Sequence, residues 1–83
     1  MENTNKGETM NSTQRRAVQI FEGCERAANC YREMLAVARK HDNEMGVEMM
    51  TRLVDEYEYE ADYLLNQCVY LGVTPEMLEA ANG

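Results

Sequence analysis

The chain has no tryptophan, one histidine, one proline and one phenylalanine among its 83 residues. These scarcities bound its chemistry. The lone histidine, His41, lies about three helical turns from the nearest cysteine, Cys30, so a cysteine–histidine nucleophile has no base in reach. No serine–histidine–carboxylate set and no glycine-rich phosphate loop occurs. The di-iron helix pattern, Glu three residues before His, fails because Ala38 holds the Glu position. A calcium loop starting at Asp42 needs glycine where Val47 stands. The expectation is therefore no enzyme activity, no metal and no cofactor.

Long hydrophobic runs are missing as well. None approaches the roughly 20 apolar residues that a membrane-spanning helix needs. The opening MENTNKGETM is polar and lacks a signal-peptide pattern. The three cysteines, Cys24, Cys30 and Cys68, are odd in number and follow no disulfide or zinc spacing. They read as small hydrophobes in a reducing compartment, so a cytoplasmic location is expected. Basic residues are outnumbered eight to fifteen, and the net charge is −7. That balance disfavours direct binding to nucleic acid or to an anionic membrane.

What the chain does have is helical periodicity. Residues 1–10 carry no pattern and read as a flexible tail, with one helical domain over 11–83. Asn11, Ser12 and Thr13 are three candidate caps. Apolar residues then follow in steps of three and four at Ala17, Ile20, Cys24, Ala27, Tyr31, Met34 and Ala38, widened by Phe21, Ala28 and Leu35. This predicts an amphipathic helix over about 13–41. The rhythm resumes at Val47, Met50, Val54, Tyr57, Ala61, Leu64, Cys68 and Leu71, widened by Leu53 and Leu65, for a second helix over about 44–71. The stretch VDEYEYEADY alternates like a strand, yet it lies inside this stripe and must be helical. Gly72 is a helix stop, and Thr74 with Pro75 starts a third helix over 75–81, whose Met77 and Leu78 should cover the open end.

The predicted fold is all-α, an antiparallel two-helix hairpin plus a short C-terminal helix. A two-helix hairpin has nothing behind it, and a chain this short makes a marginal core. Homodimerisation is expected to complete a helical bundle.

Two surfaces remain outside the stripes. On the second helix Tyr59, Tyr63, Asn66 and Tyr70 form a second row, nearly opposite the core. Tyrosine provides large contact area at small entropic cost and is enriched in interfaces. Glu44, Glu48, Asp55, Glu58 and Asp62 form an acidic ridge near that row. On the first helix Gly23, Cys30 and Val37 recur every seven residues, a candidate close-packing seam. Charge also divides by element. Residues 11–41 carry six basic and three acidic side chains, and residues 42–71 carry one basic and eight acidic. Complementary flanks within the hairpin account for part of this, but the acids outnumber their available partners.

The segment QCVYLGVTPEML, residues 67–78, resembles the turn of a helix-turn-helix motif, with Cys68, Leu71, Gly72, Val73 and Leu78 at suitable offsets. Such a resemblance implies a DNA-reading helix. The following PEMLEAANG departs from it, having two glutamates and no lysine or arginine. The hairpin topology also resembles that of small dimeric RNA-binding helical hairpins, and topology alone carries no function.

The expected function is protein binding. The tyrosine row and the acidic ridge would dock on a basic, nucleic-acid-handling surface of a larger protein, as an inhibitor or modulator that mimics nucleic acid. A compact acidic chain of this style suits a phage or mobile element. The alternative is a self-assembling structural or adaptor bundle, and a DNA-binding regulator is a distant third.

Overall fold

The computed structural model describes residues 9–82. These fold into three helices, α1 (Ser12–Lys40), α2 (Glu44–Tyr70) and α3 (Pro75–Asn82), with no strand among the described residues. Helices α1 and α2 run antiparallel along a body of 58 × 21 × 16 Å. Each helix boundary falls within one residue of the sequence expectation. The tail expectation falls on residues 1–8, outside the described residues, except at its end. There Met10 packs against the core, and its carbonyl accepts from Arg15.

Local chemistry explains where each helix starts and stops. Asn11 caps α1 through a reciprocal pair: its side chain accepts from the Gln14 amide (2.8 Å), and the Gln14 side chain accepts from the Asn11 amide (3.0 Å). Helix α1 ends in a Schellman turn, with the Asn43 amide bonded to the Ala38 carbonyl and the Asp42 amide to that of Arg39. Asp42 takes the left-handed conformation there, at φ 56°. Asn43 then serves twice, because its side chain accepts from the Gly46 amide (3.0 Å) and caps α2. Gly46 allows this close turn: a Cβ there would lie 2.8 Å from the Asn43 side chain and 3.2 Å from Ala38. The end of α2 repeats the device. The Val73 amide bonds to the Cys68 carbonyl, Gly72 sits at φ 89°, and Val73 itself is buried. Thr74 caps α3 by accepting from the Met77 amide (3.2 Å).

The core is concentrated at the open end of the hairpin. Val18, Phe21, Cys24, Ala61, Cys68, Val73 and Met77 form one buried cluster, so α3 covers that end through Met77, with Leu78 packed beside it. Gln14 ties the same end together by donating to the Leu71 carbonyl (2.8 Å). Nearer the turn, Ala28, Ala38 and Val54 are buried outside this cluster, and Tyr31 packs on Tyr57 with centroids 5.3 Å apart.

One expectation is corrected. The buried line of α1 runs through Val18, Phe21, Cys24, Ala28 and Ala38, whereas Ile20 and Met34 are each 52 % exposed. The stripe read from spacing is wide enough for two neighbours. In the hairpin α2 covers one side of it and leaves the other open, and Val73 with α3 shifts the buried line toward Val18.

Two stability effects follow. Phe21→Ala removes the largest side chain of the cluster and is expected to cost about 3–5 kcal/mol, read from urea unfolding followed by circular dichroism. Asp42→Gly relieves the left-handed strain and is expected to stabilise by about 0.5–1 kcal/mol in the same measurement.

Candidate functional site

The hairpin carries three distinct surfaces, each set by angle around a helix. The first is the outer face of α2. Tyr59, Tyr63 and Tyr70 are 78 %, 56 % and 87 % exposed, and Asn66 is exposed between them. They lie on the side of α2 turned away from α1, because at about 100° per residue they fall roughly opposite Val54, Ala61 and Cys68. Glu44, Glu48, Asp55 and Asp62 are exposed along the edge of this face.

The second surface is a polar groove along one flank of the hairpin. Glu25, Asn29, Arg32, Glu58 and Asp62 line it above Ala28 and Ala61. Glu58 does not stand free on the acidic ridge. It accepts from Arg32, which also donates to Asn29. Both partners of the ion pair are about half exposed, so solvent screens it and it contributes at most about 1 kcal/mol. Glu44 and Glu48 border a shallow depression with Arg39 near the turn. The ridge is thus partly opposed by the cationic helix, and Asp55 and Asp62 are left with no ion-pair partner among the described residues.

The third surface is an open apolar groove of about 640 Å³ on the opposite flank. Its walls are Ile20, Gly23 and Ala27 from α1 and Leu53, Tyr57 and Leu64 from α2, with Glu56 and Glu60 at the rim. The expected small-residue row belongs beside this wall. Cys30 and Val37 are exposed, and a Cβ on Gly23 would meet only Arg26, at an ordinary 3.8 Å. Nothing within the hairpin demands glycine at that position. Spacing alone points to the row but not to the groove, since Ile20 and Ala27 fall on the apolar stripe of α1.

Chemically reactive groups are sparse. No group of three or more His, Cys, Asp or Glu among the described residues converges in a way that would hold a metal ion. No described helix is long and apolar enough to cross a membrane. The segment 67–78 consists of the end of α2, the Gly72 turn and the start of α3, and the exposed face of α3 carries Glu76 and Glu79. No family model, no curated protein and no solved structure matches the chain.

All three cysteines are free thiols. Burial pushes the Cys24 thiol up, helped by Glu60 and Glu25, and it donates to the Tyr57 carbonyl (3.4 Å). Burial also raises Cys68, with Glu22 adding to the effect. In both, the folded chain holds its proton to higher pH than the unfolded chain does. Their contribution is therefore present in full below the ordinary thiol value of 9.0 and falls as pH rises above it. Alkylation of the native protein at pH 8 is expected to modify Cys30 first. Cys24 and Cys68 should react only on unfolding, as read by peptide mass mapping.

Proposed function

We propose that this chain is a non-catalytic protein-binding module that acts as a dimer and docks the outer face of α2 on a basic surface of a larger protein. The observation that carries the reading is the row of Tyr59, Tyr63 and Tyr70, exposed in line beside Asp55 and Asp62, which have no ion-pair partner among the described residues. A rigid helix presenting flat aromatic groups next to carboxylates offers contact area and charge at small ordering cost. A cationic partner supplies the opposite field, and such fields steer association and choose partners. Partners that handle nucleic acid have surfaces of that kind, and regularly spaced carboxylates imitate their phosphate ligand. An inhibitor or modulator of such a protein, of phage or mobile-element type, is the role this face fits best.

The intrachain pair decides which residues to alter. Glu58 is engaged by Arg32, so its reversal would mix binding with hairpin electrostatics. The informative bait is Asp55→Lys/Asp62→Lys, compared with wild type in affinity capture. Wild type should retain a basic partner that elutes as salt is raised. The reversed bait should lose it, with an unchanged helical circular dichroism spectrum. Retention of the same partner by both baits rejects the acidic docking face.

A further inference from the structure

The apolar flank poses a separate question, because it is unlike either of the other surfaces. Along α1 the residues Ile20, Gly23, Ala27, Cys30, Met34 and Val37 follow one another in steps of three, four, three, four and three. This is the spacing of a coiled-coil seam, and it carries no charged side chain. Ile20, Met34 and Val37 are each more than half exposed. Ile20, Gly23 and Ala27 of the seam form one wall of the 640 Å³ groove, and Leu53 and Leu64 of α2 form the other. Cys30, Met34 and Val37 continue the seam in a second shallow depression toward the turn, on the α2 side of which Met49 is half-exposed. A mid-helix glycine costs about 1 kcal/mol against alanine, and no neighbour inside the hairpin calls for it.

We infer that this flank is the homodimer interface, and that the two copies pack face to face with both inter-helix turns at the same end, so that α1 of each lies over α2 of the other. The inference rests on the dimeric reading above and specifies its geometry. The body is 58 Å long and 21 and 16 Å in its other extents, so a long flank of either width has room for the roughly 800 Å² per partner that a stable interface requires. Charge then selects between the two ways in which a two-fold axis can stack the hairpins. With the turns at opposite ends, α1 lies on α1 and α2 on α2. The acidic helix, with Glu56 and Glu60 at the rim, then stacks on its own copy, and so does the cationic helix that carries Arg16 and Arg26. Like charges in such positions disfavour a pairing. With the turns at the same end, the cationic helix of each copy crosses the acidic helix of the other.

Register supports the second arrangement. Within one chain Arg32 pairs with Glu58, Tyr31 with Tyr57 and Gln14 with Leu71. Residues at equal height therefore have numbers that add to about 85–90. An axis along the hairpin preserves height. Met34 then meets Leu53 of the second copy, Val37 meets Met49 or Met50, Gly23 receives Leu64, and Arg26 comes beside Glu60. Apolar residues thus meet apolar ones, the small Gly23 meets the large Leu64, and cation meets acid. The tyrosine row lies about a quarter turn of α2 away from this contact and stays open to a third molecule.

The test combines mass and distance. Sedimentation velocity of the full chain should give twice the 9.5 kDa monomer mass. Gly23→Glu should give a monomer with unchanged helix content, since the added side chain has room in the hairpin but faces Leu64 and Glu60 in the dimer. A spin label at His41→Cys, in a Cys30→Ala background, reports the arrangement. Labels within about 20 Å of each other support the same-end dimer. Labels separated by about 40 Å, the length of a 27-residue helix, overturn this geometry while leaving a dimer in place. A monomeric wild type overturns the dimer itself, and a Gly23→Glu protein that remains dimeric overturns the seam. None of these outcomes depends on Asp55 or Asp62, so failure here is separable from failure of the docking face.

Discussion

The hairpin depends on close contact between α1 and α2 along a line of small side chains. Cys24, Ala28, Ala38, Ala61 and Cys68 are all buried there. Small residues at a helix–helix contact let the axes approach, since interaxial distance follows the side chains at the crossing. The same choice limits how much apolar surface the contact removes from water. Among the described residues Phe21 is the only aromatic in the buried core. The bulkier residues Ile20, Leu53, Leu64 and Met34 stand to one side of the contact line, where they remain partly or largely accessible. An 83-residue chain has little other apolar surface to bury, and this flank is where a further layer would add most.

The ends of the helices make the close approach workable. Each long helix closes with a Schellman turn that satisfies its last carbonyls, and the second turn buries Val73 under the hairpin's open end. Asn43 ends one helix and caps the next, which keeps the connection short and the helices antiparallel. Gly46 permits this because a Cβ would collide with Asn43. The outcome is a stiff rod with a hydrophobic plug at one end and three differently surfaced sides. One is aromatic and acidic, one is a polar groove bridged by Arg32 and Glu58, and one is an apolar groove. Under the proposed function, self-association through the apolar groove and docking through the aromatic face would use separate sides and not compete.

Much of this was legible from residue spacing. The three helices, their caps and the hairpin order came from steps of three and four, from Asn11 and Asn43, and from Gly72 with Pro75. These signals are local, and the backbone groups they satisfy lie within a few residues. The outward position of Tyr59, Tyr63 and Tyr70 was equally readable, because residues nearly opposite a core stripe on one helix have nowhere else to point. The division of the wide stripe on α1 was not readable. Ile20 and Met34 share the hydrophobic character and spacing of Cys24 and Tyr31, and period alone cannot say which side of a stripe the neighbouring helix will cover. Nor could spacing say that Glu58 would be engaged by Arg32, since the two are 26 residues apart and meet only across the hairpin.

By itself, the sequence determined the local events: where each helix begins, where it ends, and which arc of its surface is apolar. Periodicity and capping act over one or two turns, so no long-range information was needed. The tertiary structure decided the allocation of that surface. It set the angle at which α2 lies on α1, drew Val18 and Val73 into the plug, left Ile20, Gly23 and Ala27 along an open groove and left Met34 exposed beyond it. That allocation follows from the relative rotation of two rods, a single angle to which residues from both ends of the chain contribute together.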